Sequence, residues 1–271
     1  GTGALIVSGT SNNYGGGTNV LGGVLQVTGT TGTPLGIGPV QVVGPGGVGP
    51  GVLRIAGNGS LGGVSSLKTV SSLANFPVIA LDSSFSPGAL IKNAFTSPWG
   101  GVLSIGTPVF SGQIDQSSTG DQYLGVFGVQ VTNPDFIGSI LPGNVGALGD
   151  ASLLAPSGAT GTYRLGANTN FNLSGADNTL SGSNVLMIGS PLKTLSYGIV
   201  TSGVASGVLT IRNSNSYTQG TIVNYGSTLN LETGGAPGST PIGTGTLEIM
   251  NGATVSVQGA AGSLYNGGSV N

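Results

Sequence analysis

Gly3-Ala-Leu-Ile-Val7, near the start of the chain, and Gly207-Val-Leu-Thr-Ile211, near its end, open two copies of one stretch. The copies run from Gly3 to Leu61 and from Gly207 to Leu264, at an offset of about 204 residues. Leu5 and Val7 match Leu209 and Ile211, and Tyr14, Gly17 and Thr18 match Tyr217, Gly220 and Thr221. Further on, Leu25/Val27 match Leu229/Leu231, Val40/Val42 match Leu247/Ile249, and Leu53/Ile55 match Val255/Val257. The offset drifts by a few residues, as expected when turns vary in length and strands do not. Repeated units build quasi-one-dimensional structures more often than single catalytic pockets, so the chain reads as a segment of an array.

A shorter beat lies inside each copy: apolar, any residue, apolar. The middle residues are Ile6, Gln26, Gln41, Arg54, Thr210, Asn230, Glu248 and Ser256, and all but Ile6 are polar. Tyr163-Arg164-Leu165 and Phe171-Asn172-Leu173 continue the pattern. A period of two is strand periodicity with one face buried, which predicts Gln26, Gln41, Arg54, Thr210, Asn230 and Glu248 to be more exposed than their apolar flanks. Leu5 to Leu25 and Leu209 to Leu229 are both steps of 20 residues. Gly, Asn, Thr and Ser fill the intervals, and each favours turns through positive φ or local side-chain hydrogen bonds. Short strands, tight turns and a coil of about 20 residues predict an all-β parallel β-helix, with Leu5 beside Leu25 and Leu209 beside Leu229. An antiparallel sandwich is the competing architecture. Two-residue hairpin signals are scarce, Asn251-Gly252 being one.

Composition agrees. Of 271 residues 54 are Gly, charged residues make up 5%, and there is no His and no Cys. Glycine without a three-residue period is not collagen, and 38% apolar residues exceed what a disordered chain carries. A net charge of −2 lacks the electrostatic footprint that nucleic-acid binding needs. No apolar run approaches the roughly 20 residues of a membrane helix. The absence of cysteine fits an exported bacterial surface protein. Opening on Gly1, the chain is expected to be a piece of something longer.

Tyr14-Gly-Gly-Gly-Thr-Asn-Val-Leu-Gly-Gly-Val-Leu-Gln-Val27, followed by Leu35-Gly-Ile-Gly-Pro-Val-Gln-Val42, resembles the autotransporter-associated β-strand repeat. Tyr217-Thr-Gln-Gly-Thr221 fits the same pattern, with Gln219 replacing the first Gly of its pair. The resemblance covers about half the chain. It implies a right-handed parallel β-helix in a long exported protein used as a stalk, adhesin or fibre, and it carries over no catalytic residues.

Residues 63–157 break the rhythm between the coils of 1–62 and those of 158–271, where the second copy starts at about 203. Six of the seven Phe (76, 85, 95, 110, 127 and 136), the only Trp (Trp99), and Asp82, Asp115, Asp121, Asp135 and Asp150 lie there. This predicts an irregular aromatic-containing elaboration or side domain on the solenoid. Its rings either pack it against the coils or form a contact surface centred on Phe95 and Trp99.

Catalytic chemistry finds little footing. Gly44-Pro-Gly-Gly-Val-Gly49 matches the dinucleotide fingerprint, but Pro50, Gly51 and a strand follow where a helix must open, so the segment reads as a turn. Pectate-lyase-like enzymes share the β-helix but depend on clustered acids and bases. Here the Asp are scattered and the only Arg are Arg54, Arg164 and Arg212. Asp115 and Asp121, six apart in a polar loop, are the candidate calcium pair, although such carboxylates more often cap turns. Without His, imidazole acid–base chemistry and His-ligated zinc are excluded. The sequons at Asn58 and Asn172 carry no weight in a bacterial protein. The expectation is a non-enzymatic structural protein at a bacterial cell surface, without cofactor or metal. Its partner would be another copy of itself, because neither end has the capping helix, charge or proline that blunts a sheet edge. The alternative is an adhesin binding a host or glycan surface, and a polysaccharide-acting enzyme comes last.

Overall fold

The apolar beat becomes strand throughout, and every pairing between named strands is parallel. The computed structural model describes residues 4–43, 51–70, 77–81, 102–117, 123–126, 133–145, 158–167, 169–177, 179–189, 207–224, 226–232 and 240–258, and no α-helix occurs among them. In the first half the strands are β1 (Ala4–Val7), β2 (Thr18–Val20), β3 (Gly23–Val27), β4 (Val40–Val43), β5 (Gly51–Ile55), β6 (Leu67–Val70), β7 (Val78–Leu81) and β8 (Val102–Ile105). Next come β9 (Val109–Phe110), β10 (Gln113–Asp115), β11 (Tyr123–Val126), β12 (Asp135–Phe136), β13 (Ser139–Leu141), β14 (Gly161–Ala167) and β15 (Asn170–Leu173). The last are β16 (Asn184–Ile188), β17 (Val208–Ile211), β18 (Thr221–Val223), β19 (Thr228–Glu232), β20 (Leu247–Ile249) and β21 (Thr254–Gln258).

A ten-stranded sheet, in the order β1-β3-β5-β7-β8-β11-β14-β16-β18-β20, forms the spine. Between successive visits to it, β7 to β8 excepted among the described residues, the chain lays strands elsewhere. These form a three-stranded sheet (β2-β4-β6), a six-stranded one (β21-β19-β17-β15-β12-β9) and the pair β10-β13. One spine strand per circuit, always parallel, is the arrangement of a parallel β-helix. Strands from residues 63–157 enter these same sheets: β7, β8 and β11 in the spine, and β9 and β12 in the six-stranded wall.

Register follows the apolar beat. Leu5 pairs with Leu25 and Leu209 with Leu229, as the 20-residue spacing requires. That spacing is not general, however. Leu25 pairs with Leu53, Leu124 with Leu165, and Leu173 with Ile211, so circuits vary widely in length. Strand registry is fixed by stacking, whereas extra residues at the corners cost little, and insertions collect there.

Inward side chains form columns. Leu53, Ile79, Leu103, Leu124, Leu165, Ile188 and Val223 follow one another up the spine, all buried. On the six-stranded wall Phe110 stacks on Phe136 at 5.6 Å between ring centroids, and Phe136 meets Phe171 edge-on at 6.3 Å. All three rings are fully buried, so these aromatics serve the core.

The outward positions divide. Gln26, Gln41 and Arg54 are half-buried between buried flanks, as expected. Thr210, Asn230 and Glu248 are buried instead, at 5, 5 and 4% exposure. On the six-stranded wall, Asn172, Thr210, Asn230 and Ser256 form one in-register outward stack, so Thr210 and Asn230 are sandwiched by the side chains above and below. Ser256 Oγ donates to Asn230 Oδ1 (2.9 Å), and Asn230 Nδ2 donates to Glu232 Oε1 (3.0 Å). Glu248 ends a spine column, Arg164–Met187–Ile222–Glu248, that is buried along its whole length, so that face of the sheet is covered there. A period of two assigns a face, and whether the face is wet depends on what stacks beside it.

Gln116, buried just after β10, acts as a surrogate strand. Its Nε2 donates to the Arg164 carbonyl (2.7 Å) and its Oε1 accepts from the Arg164 N–H (3.0 Å). A side-chain amide carries the same donor and acceptor as a peptide group, so it satisfies buried strand backbone in the same way.

Candidate interaction surface at the ends of the coil stack

Both repeat copies build the same corner. Asn12 N–H donates to the Thr33 carbonyl and Asn215 N–H to that of Thr240. The side-chain amide of Asn12 donates to Pro34 O (2.6 Å) and that of Asn215 to Pro241 O (2.7 Å). The Tyr14 hydroxyl meets Thr18 Oγ1 at 3.2 Å, and the Tyr217 hydroxyl meets Thr221 Oγ1 at 2.6 Å. Ile37 N–H donates to Tyr14 O, and Thr244 N–H to Tyr217 O. Above each tyrosine lies a Thr-Pro-Leu/Ile-Gly turn, Thr33–Gly36 or Thr240–Gly243. A Cβ on Gly36 or Gly243 would press into the carbonyl oxygen of Tyr14 or Tyr217. The matching tyrosines were legible in the sequence. The Thr-Pro pair was missed, although the same residues recur in both copies.

The copies differ in what lies beneath them. Under the second, Leu180 N–H donates to Asn215 Oδ1 (2.9 Å). Ser216, Thr218 and Gln219 donate their N–H groups to Leu180, Gly182 and Asn184. Tyr217 is accordingly 0% exposed, whereas Tyr14, with no described coil below it, is 43% exposed. Leu5 belongs to the inward spine column yet is 66% exposed. Leu5, Tyr14, Val20, Leu25 and Leu35 line an open hollow of about 250 Å³ at this end. At the opposite end Val257, the last residue of the Leu231 column, is 51% exposed. Among the described residues the β1 end therefore presents an uncovered slice of core, whereas at the other end β21 is partly exposed and Leu247 and Glu248 of β20 are buried.

No charged residue occurs between positions 4 and 43, and only Glu248 between 240 and 258. Charge on the solenoid gathers between the ends. Arg212 bridges Asp135 (3.3 Å) and Glu232 (2.7 Å), tying together three levels of the six-stranded wall. Ser174 Oγ also donates to the Asp135 carboxylate (3.0 Å).

The other expected sites fare as follows. Phe95 and Trp99 lie outside the described residues, as does Asp121 of the candidate calcium pair. Asp115 is described, and its carboxylate accepts from the backbone N–H (3.0 Å) and hydroxyl (2.5 Å) of Ser117, which is a turn-capping role. Among the described residues no cluster of three or more Asp or Glu could hold a metal ion. Compared with known protein families, curated proteins and solved structures, the chain matches none.

Proposed function

We propose that this chain is a structural segment of an elongated β-helical stalk or filament at a bacterial cell surface, and that it is not an enzyme. The observation that carries the reading is the ten-stranded parallel spine, whose first strand, β1, is exposed at three of its four residues and carries no charge. Edge strands of soluble monomers are ordinarily blunted by charge, proline or a covering element. A spine built by repeated coils gains length at constant cross-section, which is what a stalk needs. The composition and the resemblance of the Tyr14–Val42 stretch to a surface-protein repeat point the same way.

The test is protease shaving of intact producing cells. Release of peptides from this segment without lysis is the expected result, and a segment protected until lysis overturns the reading. Glycan binding abolished by Trp99→Ala would shift the function from stalk to adhesin.

A further inference from the structure

We propose that the peptide bond between Asn133 and Pro134 is a self-cleavage site, opened by the side-chain amide of Asn133 itself. The inference goes beyond the stalk reading and stands apart from it. Among the described residues Asn133 is the only one other than glycine at positive φ, 52°. That region is unfavourable for side chains, and Asn enters it because its short amide engages the local backbone. Strain of this kind persists only where the surrounding structure enforces it, and it collects at sites of chemistry. Here the enforcement is visible on the far side of the bond. Pro134 is buried and its carbonyl accepts the Asn172 N–H (3.0 Å). Asp135 N–H donates to the Pro108 carbonyl (2.9 Å), and Phe136 is fully buried.

Two features aim the chemistry at the Asn133 carbonyl. Its oxygen accepts from Asn172 Nδ2 (3.3 Å), and Asn172 is 6% exposed. A donor fixed at a carbonyl oxygen stabilises the negative charge that grows there during attack, as an oxyanion hole does. Asn172 is held in register between Asp135 and Thr210 on the six-stranded wall, so the donor cannot drift. Asn133 itself is exposed, and among the described residues its side chain makes no hydrogen bond, which leaves the amide free to turn on its own backbone.

Proline decides which cyclisation follows. Asparagine ordinarily cyclises through the N–H of the next residue, which attacks the side-chain carbonyl and expels ammonia. Pro134 has no N–H, so that route is closed. The remaining route runs the other way, with Asn133 Nδ2 attacking its own backbone carbonyl carbon. A new C–N bond closes a cyclic imide, the C–N bond to Pro134 breaks, and the proton lost from Nδ2 passes to the proline nitrogen. The products are a C-terminal succinimide at Asn133 and a free amine at Pro134, with no atom gained or lost. Water then opens the imide. Because β12 keeps its pairing to β9 and β15, the nicked chain stays assembled.

The test is incubation of the full chain at mildly alkaline pH, read by intact mass after denaturation. Two fragments, 1–133 and 134–271, are the expected result, the first ending in the imide or its hydrolysis product and the second beginning with proline. Asn133→Gly keeps the positive φ and removes the amide, so that variant should fold and stay uncut. Asn172→Ala, checked for an unchanged far-ultraviolet circular dichroism, should slow cleavage about 100-fold, the loss that a missing oxyanion donor causes. Pro134→Ala restores the N–H and should divert the reaction to deamidation, with Asn133 recovered as aspartate or isoaspartate. The native sequence unfolded in urea should cleave far more slowly, because nothing then holds Asn172 against the Asn133 carbonyl. A folded chain that stays intact overturns the proposal, as does cleavage at an equal rate in urea. Cleavage that persists in Asn133→Gly would assign the cut to a contaminating protease and overturns it as well.

Discussion

Asn12 and Asn215 hold the same position in the repeat, so the difference between them isolates what a neighbouring coil contributes. Asn215 is 2% exposed, donates to Pro241 O and accepts from Leu180 N–H. Asn215→Ala leaves a buried carbonyl and a buried N–H without partners, and should cost about 2–4 kcal/mol. Asn12 makes only the first of these bonds, in a half-buried setting, and Asn12→Ala should cost about 0.5–1.5 kcal/mol. Urea unfolding of the two variants measures the difference; equal costs would mean that the coil below Asn215 contributes nothing through this side chain. Gly243→Ala belongs to the same corner. Its new methyl group meets the backbone oxygen of Tyr217, which cannot rotate away, so a loss of about 1–3 kcal/mol is expected. An unchanged denaturation midpoint would show that the turn yields without strain.

At the scale of the element, strands are held by columns within and ladders without, and the two differ in strength. Phe136 lies between Phe110 and Phe171 with no exposed surface, and Phe136→Ala should cost about 3–5 kcal/mol. Arg212, by contrast, has a side chain 40% exposed, and Arg212→Met, which keeps the aliphatic stem, should cost under about 1 kcal/mol. That loss should shrink in about 1 M salt, where surface charges are screened, and a salt-independent loss would assign it to packing. The contrast also marks how far the sequence could be read. A period of two located the strands and their inward residues, and equal spacing placed Leu5 on Leu25. Nothing in the spacing announces that Leu124 pairs with Leu165, because two further strands, β12 and β13, and connections of no fixed length lie between them. Gln116 is equally silent, since its partner Arg164 lies 48 residues away and only the fold brings them together. The burial of Thr210 and Asn230 was hidden for a related reason: exposure depends on the coils above and below, which a single strand's pattern does not contain.

For the whole molecule, the stacked geometry makes stability nearly a sum of each coil and its contacts with the two neighbours. A coil in the middle of the spine is held from both sides, and an end coil from one. The strands β14 and β16 are buried along their full lengths, whereas β1 is exposed at three of its four residues and ends the sheet. Opening β1 therefore exposes one interface and little apolar surface, while opening β14 requires breaking the stack on either side of it. Hydrogen exchange under native conditions should show this as a gradient, with protection lowest in β1 and β21 and highest in β14 and β16. In a globular domain with a single cooperative core, all four strands would exchange at the rate of global unfolding.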